Sequence, residues 1–264
     1  FDAAFTCAPL TLPAHASLFT GRFPPDHGLR VNGGGRLHPD LPLWPETLRE
    51  KGYRTAAFIA AAVLDPRHGL DRGFDLYDLG SLADPEQNTA ERTAAEVTAA
   101  ALAWLAHQPP DAPVLLWVHY FEPHSPYQGI LTDTPTLTVS NAYDGEIAAM
   151  DAAFGTLRAA VSRSAWGSNL LIVAVGDHGE SLGEHHEWSH GFTLYDGAVR
   201  IPLILRLPDG AHAGTRRAEP VSLVGLRDFI LEGVDRRFEP DLLRRTPIYL
   251  ETLSPQTSLG WSPL

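Results

Sequence analysis

The chain has 264 residues, of which 44% are hydrophobic and 20% are charged, and its formal net charge is -12. That length and composition suffice to bury one sizeable core, so we expect a single domain over residues 1–264, without a fibrous repeat or a long disordered region. The negative charge argues against nucleic acid or an anionic membrane as the main partner. No apolar run approaches the roughly 20 residues that span a bilayer. The lone Cys7 excludes an intrachain disulfide.

The predicted elements alternate between helix and strand. In chain order they are a helix over 44–51, a strand over 53–63, a helix over 84–107, a strand over 113–120, a helix over 143–163, strands over 169–175 and 201–207, a helix over 221–234 and a strand over 247–251. Continuous apolar runs such as 169–175 are typical of strands buried on both faces, whereas apolar residues recur at helical spacing over 143–163. This alternation predicts an α/β fold with a mostly parallel central sheet and helices on both faces.

Polar residues follow two of the predicted buried strands. His119 and His124 come at the end of the strand over 113–120, and Asp177 and His178 follow the strand over 169–175. In open α/β sheets the ligand site lies outside the carboxyl ends of the strands. These residues are therefore the first candidates for a functional site.

Thr11 stands where a hydroxyl meets the predicted start of a helix. Pro13 suits the first turn of that helix and Gly21 suits its end, so we expect Thr11 just before the helix begins. Free backbone N–H groups and the positive end of the helix dipole would then favour an anion beside it. A plain N-cap role for Thr11 is the open alternative.

The segment over 176–191 is dense in potential metal ligands. It contains four histidines and four acidic residues within sixteen positions, with Asp177 and His178 adjacent at the strand end. A carboxylate beside an imidazole suits a divalent metal, and the glycines let the backbone turn closely around a ligand. A solvated polar loop is the alternative, and we interpret His185 and His186 as bystanders.

His124 lies between Pro123 and Pro126 in a rigid, extended stretch that suits a positioned acid or donor. A purely structural histidine is an equally open interpretation. We interpret His119, inside the apolar strand, as a core histidine, and Asp144 and Asp151 as capping and surface groups of the helix over 143–163.

Taken in order, these residues resemble the sulfatase branch of the alkaline phosphatase superfamily. The resemblance begins with Thr11-Leu12-Pro13-Ala14-His15 and a helix ending in Thr20-Gly21-Arg22. It continues through residues 24–28, 48–56, 69–75, 122–127, 143–146, 176–205 and 251–253. Each piece is weak alone, but the ordered set is specific and covers nearly the whole chain.

The resemblance implies a nucleophile and a metal site. Thr11 would be the nucleophile and would also contact a divalent metal ion, such as Ca, Mg, Mn or Zn, held by Asp177 and His178. The chain starts at Phe1 without an initiator Met. We therefore interpret it as a piece of a longer protein and expect further acidic ligands upstream and an extension after the C-terminus.

The resemblance also implies contacts with an anionic ester substrate. His190 aligns with a Lys or His that contacts the transferred group, and His124 with a histidine near the leaving group. His15 stands where sulfatases carry an arginine that supports the nucleophile, so we expect His15 and His190 to bind substrate.

Thr11 is also the main departure from the family. Sulfatases proper need Cys or Ser there, which is converted to formylglycine, and Thr cannot follow that route in the same way. Threonine nucleophiles resemble phosphodiesterase and lipoteichoic-acid-synthase-like members. We therefore expect a metal-dependent hydrolase or transferase of phosphate or sulfate esters, with a phosphodiester-type substrate favoured.

Two alternatives stay open. One is a sulfatase proper that hydrolyses sulfate esters through Thr11 directly. The other is a degenerate, non-catalytic sulfatase-like binding protein, which the missing upstream acids and Gly225, where relatives usually have Asp, would fit.

Overall fold

The computed structural model describes residues 1–84, 91–127 and 139–262. Its strands are β1 (Ala4–Phe5), β2 (Arg54–Phe58), β3 (Leu76–Asp78), β4 (Val114–Val118), β5 (Ile172–Val175), β6 (Ser181–Leu182), β7 (Trp188–Ser189), β8 (Arg200–Ile201), β9 (Leu203–Arg206) and β10 (Val221–Ser222). Its α-helices are α1 (Thr11–Thr20), α2 (Pro24–His27), α3 (Trp44–Glu50), α4 (Ala94–Leu105), α5 (Val139–Ser162), α6 (Asp196–Val199), α7 (Leu226–Asp235) and α8 (Ser254–Leu259).

The chain divides into two compact units. Unit I comprises Phe1–Trp44, Pro66–Leu70 and Asn169–Leu264, and unit II comprises Pro45–Asp65 and Asp71–Ser168. The single domain over residues 1–264 stays a prediction. No helix among the described residues is long and apolar enough to cross a membrane.

Unit II is built on a parallel sheet in the order β3-β2-β4. Ala56 in β2 pairs with Leu76 on one side and with Leu116 on the other. The crossover from β3 to β4 contains α4, whose Val97 and Ala101 are buried against the sheet in one core cluster. This is the arrangement that parallel strands require, because only a long crossover can return the chain to the same end of the sheet.

Unit I mixes parallel and antiparallel pairing. β1 lies between β10, to which it is parallel, and β8, to which it is antiparallel. β5 pairs antiparallel with β9, in a register that sets Val175 opposite Leu203. The α/β class predicted from the sequence is confirmed, although β5, the most apolar predicted strand, has an antiparallel neighbour rather than a parallel one.

Helix α1 positions the start of the functional segment in unit I. It buries Leu12 and Phe19 completely. Gly21 ends it in the left-handed conformation, with φ of 67°, and its N–H donates to Ser17 O at 2.9 Å. The predicted helix end at Gly21 is thus what the structure has, for the expected reason that a residue without Cβ adopts this conformation at little cost.

Several predicted elements differ from those observed. The strand over 53–63 ends at Phe58, and a 3-10 turn begins at Ala62. The helix over 84–107 covers only Ala94–Leu105, and residues 85–90 of the prediction lie outside the described residues. The strand over 247–251 is wrong: these residues belong to no strand, and Glu251 N donates to Cys7 O at 2.9 Å.

The predicted helix over 221–234 begins later than expected. Its first two residues form β10, and a 3-10 turn over Leu223–Gly225 precedes α7. The buried Val221 pairs with Ala4 in the sheet, so tertiary pairing overrides the local helical pattern at this end.

Candidate active site

Thr11 is the first residue of α1. The preceding Leu10 is the N-cap and makes no side-chain capping bond. The alternative of Thr11 as a plain N-cap, and its expected position before the helix, are therefore wrong. Its hydroxyl lies instead 3.2 Å from Nε2 of His178.

The protonation of His178 follows from its two partners. Nδ1 lies 2.9 Å from the carbonyl oxygen of Gly179, which can only accept, so Nδ1 carries the hydrogen. Nε2 then presents its lone pair, to which the Thr11 hydroxyl donates. A backbone carbonyl that fixes the tautomer in this way is the usual support of a metal-binding or basic imidazole.

Asp177 lies beside the same nitrogen. Its Oδ2 is 3.6 Å from Nε2 of His178 and 3.6 Å from Nδ1 of His15. The other carboxylate oxygen accepts the backbone N–H of His178 at 2.9 Å. Two backbone bonds, from Gly176 N to Pro202 O and from Gly179 N to Ala198 O, hold the segment directly after β5.

The two separations measured from Nε2 of His178 are compatible with one divalent cation. An ion bound about 2.0–2.4 Å from two ligands at angles of about 90–110° separates the ligand atoms by about 2.8–3.9 Å. The separations from Nε2 of His178 to Thr11 Oγ1 and to Asp177 Oδ2, 3.2 and 3.6 Å, both lie within that range. A hydroxyl, a carboxylate and an imidazole lone pair also form a donor set that divalent metals accept.

His190 joins this group through its ring. It stacks on the ring of His178 with centroids 4.0 Å apart, and its Nδ1 donates to Pro9 O at 2.9 Å. Thr252 fixes the next residue, because its hydroxyl donates to the carbonyl of Gly191. His190 is thereby held on both sides within unit I.

His15 is 4% exposed, one turn of α1 after Thr11. Its Nδ1 donates to Thr11 O at 2.8 Å and faces Asp177. Burial lowers the pKa of His15 below its usual value, and the negative charge of Asp177 partly opposes this effect. These contacts favour a role in holding the carbonyl of Thr11, and the predicted contact of His15 with substrate stays a prediction.

The start of α1 offers fewer free N–H groups than expected. Leu12 N donates to the side chain of Asn32 at 3.0 Å, Pro13 has no N–H, and Ala14 N donates to Leu10 O. Three of the first four helical residues are thus closed to an anion. The expected anion site at this helix start is correspondingly weaker, and side chains must supply most of the positive potential.

His124 belongs to unit II. Its backbone N–H donates to Oε2 of Glu146 at 3.1 Å, and its Nδ1 donates to Ser125 O at 2.6 Å. Its ring lies against Phe121 with centroids 4.4 Å apart. Glu146 on α5 is 7% exposed, so a buried carboxylate fixes the backbone that carries the predicted acid.

Cys7, the chain's one cysteine, is fully buried. Burial raises the pKa of the Cys7 thiol to about 12, and the hydrogen bond with Ser17 only partly opposes this effect. Because the thiolate is the reactive form, this thiol is inert in the folded protein.

His119 and Asp151 are placed as the sequence indicated, whereas a capping role for Asp144 is wrong, because α5 begins earlier, at Val139. His119 is 9% exposed, with its ring edge-on to Trp117. Asp144 and Asp151 are exposed on α5. His185 stacks on Tyr195, with centroids 3.9 Å apart.

Sequence reasoning missed three supporting residues: Asn32, Glu146 and Thr252. Their partners lie 20, 22 and 61 residues away, respectively. A local pattern carries no signal for such contacts. Glu146 and Thr252 do stand inside segments that carry the family resemblance.

The sulfatase family model matches residues 1–233 of the chain. The chain belongs to the sulfatase family. Members of this family are ester hydrolases that generally use a divalent metal ion.

Among curated relatives, the chain is similar to the uncharacterized sulfatase YidJ of Escherichia coli. The identity is 25% over an alignment of 282 positions, which covers 80% of this chain and 56% of the relative. A shorter match to mouse iduronate 2-sulfatase has 31% identity over 70 residues, 26% of this chain and 12% of that protein. The chain thus spans little more than half of the longer-matching relative.

Solved structures share the fold. A phosphonate monoester hydrolase of Agrobacterium radiobacter has a TM-score of 0.69 at 19% identity, covering 99% of this chain and 71% of that chain. A putative sulfatase of Bacteroides thetaiotaomicron has a TM-score of 0.66 at 18% identity, covering 99% and 67%. At these identities the likeness shows the fold alone.

Proposed function

We propose that this protein is a metal-dependent hydrolase or transferase of phosphate or sulfate esters that uses Thr11 as a covalent nucleophile, with phosphodiester-type substrates preferred. The observation that carries the proposal is the meeting of Thr11 Oγ1, His178 Nε2 and Asp177 Oδ2 at separations of 3.2 and 3.6 Å. The Thr11 hydroxyl does not cap α1 and meets His178 instead.

Asp177, His178 and Thr11 are the residues that would hold the cation. When bound, a divalent cation lowers the pKa of a hydroxyl that it contacts and offsets negative charge on the transferred group. The backbone N–H of His178 orients the Asp177 carboxylate. The Nδ1–H bond to Gly179 keeps the lone pair of His178 on Nε2.

The reaction exchanges one ester bond for another. The Thr11 hydroxyl gives its proton to solvent water, its oxygen forms a bond to phosphorus or sulfur, and the bond from that atom to the leaving alcohol breaks. His124 gives its proton to the alcohol oxygen, and His190, when protonated on both nitrogens, donates to an oxygen of the transferred group. Water, or a second alcohol in a transferase, then releases the ester from Thr11.

Sulfate-ester hydrolysis is the second candidate, because the family match favours it. The threonine at position 11 weighs against the formylglycine route and so ranks phosphodiesters first. A non-catalytic binding role is the third possibility, and metal binding separates it from both enzymes.

The test compares two ester substrates and two variants that each lose one carboxylate. The protein is assayed with bis(4-nitrophenyl) phosphate and 4-nitrophenyl sulfate, with and without added Mn²⁺, Mg²⁺, Ca²⁺ or Zn²⁺. We expect metal-dependent turnover, faster for the phosphodiester, that Asp177→Asn reduces at least about a hundredfold and the exposed Asp151→Asn leaves unchanged.

Each outcome of this assay decides between the candidates. Turnover of the sulfate alone would replace the phosphodiester preference by a sulfatase activity. A protein that binds none of these ions by calorimetry and hydrolyses neither ester would refute the catalytic proposal.

A further inference from the structure

Two buried polar residues, Glu251 and Thr252, lie beyond position 233, where the match to the sulfatase family model ends. Their exposed fractions are only 3% and 1%, and they belong to no helix or strand. We call these two residues the clamp. Buried polar groups outside regular structure need partners, because leaving them unpaired away from water is costly. The partners of the clamp therefore show what this segment does.

The backbone of the clamp contacts the stretch that leads to Thr11. Glu251 N donates to Cys7 O at 2.9 Å. Two residues further on, Pro9 O accepts the hydrogen of His190 Nδ1 at 2.9 Å. The stretch before the proposed nucleophile is thus bonded to the clamp at one carbonyl and to His190 at another.

The side chain of the clamp contacts the loop that carries His190. The Thr252 hydroxyl donates to the carbonyl of Gly191 and accepts the N–H of Ser254 at 3.2 Å. Gly191 has φ of 99°, and a Cβ added to it would lie 3.1 Å from Cδ2 of Leu10. The loop therefore lies directly on the residue before Thr11, where a larger residue would be strained and crowded.

The Glu251 carboxylate holds the clamp in place. Its two oxygens accept two bonds from the Arg30 guanidinium, at 2.8 and 2.6 Å, and one of them also accepts the Tyr249 hydroxyl at 2.6 Å. Paired bonds between a guanidinium and a carboxylate are strong and directional. The bond to Glu251 also raises the pKa of Tyr249 to about 12, so this donor keeps its hydrogen at neutral pH.

The two loops that the clamp joins come from opposite ends of unit I. Pro9 and His190 are 181 residues apart in the sequence, so local structure cannot fix their separation. Thr11 and His190 must nevertheless act on the same ester. A displacement of about 1 Å at a reacting group can cost about a hundredfold in rate.

We propose that Glu251 and Thr252 are positioning residues, which hold the stretch before Thr11 and the loop that carries His190 at a fixed separation and so align both side chains on the ester. This inference rests on the proposed function for the reaction that uses the alignment. It adds two residues that act through Thr11 and His190, since their own contacts are to the backbone of the two loops and to each other's supports.

The test measures kcat and KM of the full chain for bis(4-nitrophenyl) phosphate in the presence of a divalent cation. The variants are Thr252→Val, which keeps the shape of the side chain and removes the hydroxyl, Thr252→Ser, which keeps the hydroxyl, and Glu251→Gln. The matched control is Thr20→Val, because Thr20 is likewise buried and its hydroxyl likewise donates to a carbonyl, that of Ala16 at 2.7 Å.

We expect Thr252→Val to lower kcat about tenfold and to leave KM within about twofold of the wild type, because the clamp does not contact the substrate. Thr252→Ser should keep kcat within about twofold. Glu251→Gln should also lower kcat without changing KM. Thr20→Val should lower the melting temperature about as much as Thr252→Val does, because each loses one buried hydrogen bond, but it should keep the kcat of the wild type.

Wild-type kcat in Thr252→Val would overturn the inference. So would an equal loss of kcat in Thr20→Val, which would mean that lost stability alone lowers turnover, or a failure of Thr252→Ser to restore kcat.

Amide hydrogen exchange separates this inference from the proposed function. In Thr252→Val, peptides that cover residues 7–11 and 188–193 should exchange faster than in the wild type and in Thr20→Val. If the wild type hydrolyses no ester, the proposed function fails, and faster exchange in both peptides would leave the clamp standing as the connection between the two loops. Unchanged exchange would overturn the clamp whatever the turnover.

Discussion

The two ends of α1 carry polar groups with different purposes. At its start, the hydroxyl of Thr11 meets His178, 167 residues further along the chain. Near its end, Ser17 bonds to His27 only ten residues away, and Thr20 donates to Ala16 O one turn earlier. The end of the helix satisfies its polar groups locally, as structure requires, whereas the start presents a hydroxyl to a distant acid and imidazole.

His27 shows how complete the local arrangement is. Its Nδ1 accepts the N–H of Leu29 at 3.1 Å, so Nε2 carries the hydrogen and donates to Ser17 Oγ at 2.8 Å. A second proton on this ring would break the bond from Leu29. Burial lowers the pKa of His27 to about 4.

The largest expected effect is a loss of turnover when the hydroxyl at the start of α1 is removed, but not when the hydroxyl at its end is removed. Thr11→Ala should lower turnover at least about a thousandfold, because it removes the attacking oxygen. Its free energy of unfolding should change by less than about 1 kcal/mol, because Thr11 does not cap the helix. The matched control is Thr20→Ala, for which we expect the reverse: a loss of about 1 kcal/mol in stability and unchanged turnover. Full turnover by Thr11→Ala would contradict the distinction between a catalytic start and a structural end of α1.

The second prediction concerns pH and the end of the helix. Between pH 6.5 and 4 the unfolded chain binds a proton at His27 more readily than the folded protein does, so the free energy of unfolding should fall as the pH falls through this window. The shift corresponds to about 3 kcal/mol. Urea unfolding at several pH values should give a shallower slope for His27→Gln than for the wild type. His38→Gln, at an exposed position, should keep the wild-type dependence of the free energy of unfolding on pH. If His27→Gln kept it as well, the interpretation of His27 as a buried, neutral ring would be wrong.

The third prediction tests whether Glu146 positions His124 in unit II for catalysis or has only a structural role. Glu146→Ala removes the acceptor of the His124 N–H and should misplace the acid. We expect turnover of an alkyl phosphodiester, whose leaving group needs a proton, to fall about tenfold, while a 4-nitrophenyl ester changes little. The exposed Asp144→Asn is the control. An equal loss for both esters would indicate a purely structural role of Glu146.

The smallest effect is expected at Cys7. Its thiol should not react with iodoacetamide at pH 8 in the folded protein, because it is buried and its pKa is raised. Cys7→Ala should keep turnover within about twofold of the wild type and cost about 1 kcal/mol of stability. Rapid labelling that abolishes turnover would point to a thiol nucleophile instead.

Local patterns in the sequence predicted the elements that are determined locally. The apolar run before Gly176 contains β5, and the helical spacing after Tyr143 falls within α5. Residues 247–251 also resembled a strand, but no strand in the described part of the chain pairs with them. Pairing depends on distant residues, so periodicity could not reveal its absence.

The candidate site shows the same division. The strand end predicted where Asp177 and His178 lie, whereas the start of α1 one residue earlier than expected ruled out the alternative of Thr11 as an N-cap. The occupation of Leu12 N by Asn32 could not be predicted, because a loop 20 residues away supplies the acceptor. The antiparallel partner of β5 likewise depends on how the chain returns after α6.

The most direct measurement is the mass of the protein quenched during turnover of a phosphodiester, followed by peptide mapping. We predict a phosphoryl or alkyl-phosphoryl group on Thr11 in the wild type, and none on Thr11 in Asp177→Asn. A covalent group on Cys7 or His190, or full turnover in a protein that never carries a group on Thr11, would contradict the account.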